Sequence, residues 1–209
     1  MAELMRPIPF EGLLERMFGE LAQSSSIFGI PVSQWYIPPP ITKPPTLFDR
    51  ETAPMGPAAG PHTQLAQNII VSYLCGARFM ELKTVQILDE LEIEKPCIDA
   101  RDEGYNSEWS SEFTLPKALD EYIKAWVALH VLETFLLDTV PSTFSFLFNM
   151  SVGYDLKGIQ SPKMQQFITS LQDCSTTVMF NQLPKDLSVV ATKRVLFGSH
   201  RVEGEAPPS

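Results

Sequence analysis

The chain reads as an α/β protein built on a parallel sheet. Two observations carry this: short apolar stretches alternate with helical ones in the order β-α-β-α-β-α, and strand, helix and strand recur within about 35 residues, the span of a βαβ unit. Such an order covers a sheet on both faces, as a barrel or as a doubly wound sheet. Its 209 residues suffice for one sizeable core with an extension.

The first element is an amphipathic helix over residues 9–21, with Phe10, Leu13, Leu14, Met17, Phe18 and Leu21 on one side. Ser24 to Ser26 end it. Between Pro31 and Pro45 stand six prolines, which fix φ and remove donors, so an extended connector is expected there. Thr52 to Ala59 predicts a buried strand that ends in the tight turn Gly56-Pro57-Ala58-Ala59-Gly60-Pro61. A helix follows over 63–74, and Gly76 is placed to stop it. Phe79 to Val85 is the second strand. After a charged crossing through Pro96, a long helix runs over 114–137, with Thr114 as N-cap and Pro116 in the first turn, where proline is tolerated. Its apolar side carries Leu119, Tyr122, Ile123, Trp126 and His130. The third strand spans 144–152 and a further helix 162–171. The expected division is an amino-terminal helix and connector over 1–45, the main domain over 46–175 and an irregular tail over 176–209, with Ser188 to Ala191 as a candidate strand.

The formal charge of −9 argues against a nucleic-acid footprint, which needs a basic surface. The most apolar stretch, Ala125 to Val140, is broken by His130, Glu133 and Asp138 and is too short to span a bilayer. Cys75, Cys97 and Cys174 are widely spaced and odd in number, which fits neither a disulfide framework nor a metal site. A cytoplasmic protein without a metal of its own is the expectation.

Four segments are candidates for chemistry. Small residues in the Gly56–Gly60 turn let a flat ligand approach the backbone, although the glycine spacing is not a dinucleotide fingerprint. In Phe79-Met80-Glu81-Leu82-Lys83-Thr84, alternation puts Phe79, Glu81 and Lys83 on one face. A charge within a covered strand is paired with a neighbour or functional. Glu81 and Lys83 therefore form a pair, lie on a wet edge, or place a lysine at the carboxyl end of a barrel strand, where it stabilises negative charge. The loop around Tyr105-Asn106-Ser107 offers an amide donor and acceptor, and Asn149 to Tyr154 ends a strand in small polar residues. For both loops a plain turn is the competing reading.

The order Met55-Gly56-Pro57-Ala58-Ala59-Gly60, Gly76-Ala77-Arg78-Phe79 and Glu81-Leu82-Lys83-Thr84 resembles the opening strands of the dihydroorotate dehydrogenase-like flavin barrel, in particular the pyrimidine-reducing domain of dihydropyrimidine dehydrogenase. A closer resemblance is to the bacterial selenate reductase large-subunit family. Met5-Arg6-Pro7-Ile8-Pro9-Phe10, the run from Gly56 to Asn68, Glu81 to Gln86 and Phe148 to Tyr154 carry it. It implies a partial (β/α)8 TIM barrel, its first three to four β/α units, with an amino-terminal helix and proline-rich extension. It implies an FMN site in which Ala58, Ala59, Lys83 and Thr84 contact the flavin, Lys83 serves catalysis and Asn106 binds substrate. FAD and iron–sulfur clusters belong to downstream domains of that family. A truncated chain of this kind is expected to hold FMN weakly or not at all, to be inactive alone, and to have the remaining domains or subunits as partners. The competing expectation is a non-catalytic docking fragment.

Overall fold

The structure, a computed structural model, describes residues 6–37, 46–47, 50–51, 55–85, 87, 98–99, 105–106, 113–135, 146–152 and 156–185. The amino-terminal helix α1 (Phe10–Ser24) buries Leu13 and Met17, and Phe10, Leu14, Phe18 and Leu21 pack beside them, as the helical spacing predicts. It ends where Ser25 adopts the left-handed conformation. A hairpin that the sequence did not announce follows: β1 (Ser26–Ile27) pairs antiparallel with β2 (Ile30–Pro31). Its two-residue loop needs positive φ at both positions, and Phe28 (φ 47°) and Gly29 (φ 77°) supply it. Phe is a costly choice there, and its ring lies under the Arg16 guanidinium at 5.0 Å. A 3-10 turn, Val32–Gln34, opens the proline connector, of which residues 38–45 lie outside the described residues. Two further short pairs are antiparallel: β3 (Thr46–Leu47) with β4 (Arg50–Glu51), and β6 (Ile98–Asp99) with β7 (Tyr105–Asn106).

The expected strand over 52–59 is not a regular strand. Residues 52–54 lie outside the described residues, and 55–58 are irregular. They nevertheless run alongside β5 (Phe79–Val85): the Glu81 amide donates to the Pro57 carbonyl at 3.2 Å. A Cβ on Gly56 would fall 1.4 Å from the Phe79 carbonyl oxygen. Pro57 has no amide to donate to a ladder, in keeping with the absence of a regular strand among the described residues 55–58.

The other edge of β5 pairs with β8 (Leu147–Val152) in parallel, Phe79 opposite Leu147, Glu81 opposite Asn149 and Leu82 opposite Met150. Arg78 and Phe79 carbonyls face opposite edges of the strand, so the Leu147 amide bonds Arg78 while the 55–58 segment lies on the Phe79 side. The order is therefore segment 55–58, β5, β8, all running one way. Among the described residues this pair is the only parallel ladder.

Between them, α2 (Ala66–Leu74) starts three residues later than the spacing predicts, because a 3-10 turn, Pro61–Thr63, intervenes. Gly76, at φ 104°, closes its carboxyl end. The long helix α3 (Leu115–Phe135) starts where expected, with the Thr114 hydroxyl accepting from the Lys117 amide at 3.3 Å. It was expected to have one apolar side, but residues 121–132 are buried without a break. α2, β5, α5 (Pro162–Gln172) and α6 (Val178–Asn181) all pack on it. The core of the molecule lies between α3 and the helix-facing side of the sheet. There Trp126 meets Phe146 and Phe148 edge-on at 4.8 and 5.3 Å. Each such fully buried apolar side chain contributes about 1.5–3 kcal/mol.

A four-residue helix, α4 (Leu156–Ile159), leads into α5, where Ser161 accepts from the Met164 amide at 3.3 Å and Pro162 occupies the first turn. The tail, expected to be irregular, begins with the helical turn α6, and its Phe180 and the following Leu183 join the core. Residues 186–209, with the candidate strand at Ser188 to Ala191, lie outside the described residues. No helix among the described residues is long and apolar enough to cross a membrane.

Candidate functional site at the carboxyl end of the parallel strands

In a parallel sheet all strand ends point the same way, so the carboxyl ends of β5, β8 and the 55–58 segment form one rim. Met80, Leu82 and Phe148 belong to the helix-packed core, and alternation turns Phe79, Glu81, Leu147 and Asn149 to the other face. On that inward face the layers can be read from bottom to rim. Phe79 and Leu147 are cross-strand partners. In the layer above, the Asn149 side-chain amide donates to the Glu81 carboxylate. A neighbouring strand thus supplies a partner for the charge that the sequence left open between Lys83 and water.

The third layer is irregular. Leu82 pairs with Met150, but the next pairing is Val85 with Val152, so two residues of β5, Lys83 and Thr84, stand opposite the single Ser151. This is a β-bulge. Leu82 and Val85 are both buried in the helix-facing core although they are three residues apart. In a straight strand they would point to opposite faces. The bulge, which spans Lys83 and Thr84, absorbs the mismatch. Lys83 is buried, 5% exposed, and Thr84 is half-buried. The Lys83 carbonyl accepts a hydrogen bond from the Tyr122 hydroxyl of α3 at 2.8 Å. Tyr122 is fully buried, and burial pushes its phenol well above the ordinary tyrosine range, so it remains a donor. Bulges gather beside active sites because they re-aim side chains.

The turn over 56–60 reaches the same rim. Ala58 and Ala59 are exposed, and the chain continues into the Pro61–Thr63 turn, which packs on β5. Thr63 locks it: its hydroxyl donates to the Gly60 carbonyl at 3.0 Å, and its amide donates to the same oxygen at 2.9 Å. Ala58, Ala59, Lys83 and Thr84 therefore share one end of the sheet. Asn106 lies on β7 opposite Ile98, and its side chain is outside the described residues, as are Gly153 and Tyr154. His62 is exposed on the turn and His130 is buried mid-helix.

The rim is braced from below by charges that the sequence did not single out. Glu121 and Lys124 form a buried ion pair on α3, 1% and 7% exposed. Glu121 also accepts from the Ala66 amide at 2.9 Å, which caps α2, and Lys124 donates to the Ile8 carbonyl at 2.9 Å. Burial pushes the Glu121 carboxyl upward while the Lys124 ammonium opposes the shift. Their i, i+3 spacing was the visible signal, but it reads as an exposed helix pair.

At the opposite, amino end of β5, Arg78 is buried with its guanidinium over the Tyr73 ring at 3.8 Å. It donates to the Tyr73 and Ala77 carbonyls at 2.8 and 2.9 Å. Desolvation lowers its pKa, and Glu133, which accepts from the Tyr73 hydroxyl at 3.2 Å, opposes this. A small cavity beside it is lined by Trp35, Tyr36, Tyr73 and Leu132. In barrels that end serves stability.

Among the described residues no group of three or more His, Cys, Asp or Glu side chains is placed to hold a metal. The residues at this end of the sheet are one lysine, one threonine and a turn of small residues.

The comparisons agree with the architecture. The chain is 55% identical over 204 residues to the protein named "Putative oxidoreductase YgfK" of Escherichia coli strain K12, and equally to its namesake in Escherichia coli O157:H7. The match covers 97% of this chain, which spans 20% of the length of those relatives. No solved structure matches the chain. A family model described as "Oxidoreductase YgfK, N-terminal TIM-barrel domain" matches residues 28–203, so the chain belongs to that family of oxidoreductase TIM-barrel domains.

Proposed function

We propose that this chain is the amino-terminal FMN-binding portion of a multidomain, NAD(P)H-linked flavin/iron–sulfur oxidoreductase of the selenate reductase-like kind. The observation that carries the reading is the bulge at Lys83 and Thr84. It puts two adjacent polar residues at the end of the sheet that the small Ala58–Ala59 turn also reaches.

A bound flavin would supply hydride and electron transfer. The protein's part is placement and charge. Lys83 is buried, so its ammonium acts through a lower dielectric than water and favours an electron-rich, anionic ring beside it. Thr84 offers a hydroxyl from the same bulge. The exposed backbone at Ala58 and Ala59 lets the ring edge approach, which larger side chains would prevent. In this reading Asn106 binds the substrate, and the remaining domains of the longer relatives are the partners that deliver electrons through FAD and iron–sulfur clusters. The two described cysteines are free thiols, in keeping with a reducing compartment.

Titrating the 209-residue chain with FMN and following flavin fluorescence tests the assignment. Only weak binding is expected of the chain alone, and Lys83→Met is expected to weaken it about tenfold further, the loss of one charge-assisted contact. Equal affinity in both proteins would remove Lys83 from the site and the flavin reading with it.

A further inference from the structure

We propose that Tyr122 is a positioning residue for the Lys83–Thr84 bulge, holding its backbone so that the ammonium and the hydroxyl are presented together to the flavin ring. The inference rests on the flavin reading above and goes one step behind it, to the residue that acts through the bulge without touching the ligand.

The argument starts from alternation. Adjacent residues of a straight strand point to opposite faces, so Lys83 and Thr84 can serve one ligand only if the strand is irregular between them. It is irregular there, since two residues of β5 face Ser151 alone. A bulge takes the local backbone out of the ladder, and buried carbonyls then need another donor. The Tyr122 hydroxyl provides it, at 2.8 Å from the Lys83 oxygen.

The donor is well anchored. Tyr122 is fully buried, and its side chain leaves a helix that is buried over residues 121–132. Its neighbours on α3 tie that helix down: Glu121 to the start of α2 at Ala66, and Lys124 to the entering chain at Ile8. The height of the hydroxyl along the strand is thereby set by two other segments. If the bulge relaxed to a regular register, Val85 would leave the core and Thr84 would enter it, turning the threonine hydroxyl away from the rim.

Tyr122→Phe removes the hydroxyl and keeps the ring. In the 209-residue chain, FMN affinity is measured for the unaltered protein, Tyr122→Phe, Lys83→Met and the double variant. Hydrogen exchange at residues 83–85 is measured on the unaltered chain and Tyr122→Phe. The expected result is a five- to tenfold weaker affinity for Tyr122→Phe, faster exchange confined to the bulge, and a clearly smaller further loss when the substitution is added to Lys83→Met, where only the Thr84 hydroxyl remains to be misplaced. That non-additivity separates a residue acting through Lys83 from one that only stabilises the fold. Equal losses in both backgrounds, or unchanged affinity in Tyr122→Phe, would overturn the positioning role and leave the flavin reading standing. No FMN binding by the unaltered chain, or binding insensitive to Lys83→Met, would overturn the flavin reading and this role together.

Discussion

Gly56→Ala is the sharpest test of how the rim is built. A Cβ at this position would sit 1.4 Å from the Phe79 carbonyl oxygen and 2.5 Å from its carbon. Both are backbone atoms of β5, so no rotamer change relieves the clash. The 55–58 segment must lift off the strand. That breaks the bond from the Glu81 amide to the Pro57 carbonyl, which leaves a donor without its partner at a cost of about 1–3 kcal/mol. Displacement in a packed region adds about 1–3 kcal/mol. The sum is about 2–6 kcal/mol, a large share of the roughly 5–15 kcal/mol that holds a domain together. For a chain of this size 1 kcal/mol corresponds to about 2–4 °C, so the melting temperature should fall by about 5–20 °C. Gly19→Ala is the matched control: nothing lies within 4 Å of its Cβ position, and it sits inside α1. It should melt unchanged or slightly higher, by at most about 1 kcal/mol of added stability. Thermal melting followed by circular dichroism reads both. If Gly56→Ala melts within a degree of the unaltered chain, the segment does not rest on β5 and the rim is not assembled as described.

Three further outcomes follow from the buried groups. Lys124→Met should cost about 3–5 kcal/mol by leaving Glu121 without its counter-charge, and adding Glu121→Gln should recover part of it, because glutamine still accepts from Ala66; chemical denaturation of the single and double variants checks this. Burial pushes the Cys174 thiol up to about 12, while Cys75 is exposed. A Cys97→Ser chain should therefore label once when native and twice when unfolded in a thiol-reagent count at pH 8. Tyr122 has a folded-state pKa raised above its ordinary value of 10.0, so the folded protein keeps a proton that the unfolded chain loses above pH 10. Stability should fall as pH rises beyond that point, and the alkaline fall in melting temperature should be shallower in Tyr122→Phe.

Where periodicity is local, the fold was legible. β5 runs from Phe79 to Val85 as its alternation implies, and the cap at Thr114 stands where that residue type favours a helix start. What failed depended on a neighbour. The segment at 55–58 was expected to be part of a strand, but Pro57 cannot donate and Gly56 is pressed against Phe79, so it lies beside β5 without a regular ladder. The Phe28–Gly29 turn lacks the usual Asn-Gly or Asp-Gly signal. A bulge is a property of two strands in register, and neither Lys83-Thr84 nor Ser151 alone announces it. The same holds for Glu81, whose partner Asn149 lies 68 residues away. Four residues of the proposed rim, Ala58, Ala59, Lys83 and Thr84, were readable through the family resemblance, whereas Tyr122 looked like one more apolar helix position.

The pairing of β5 with β8 also sets an order of events during synthesis. Strand β5 is finished at Val85, but its parallel partner begins only at Leu147. At ribosomal rates of about 5–20 residues per second, roughly 3–12 s pass between the two. For that interval α1, the hairpin and α2 can form, yet the strand that carries Lys83 lacks its parallel partner, and α3, which packs on it, is complete only at Phe135. The nascent chain must be guarded over that window, and slowing translation downstream of residue 85 should increase its capture by holding chaperones.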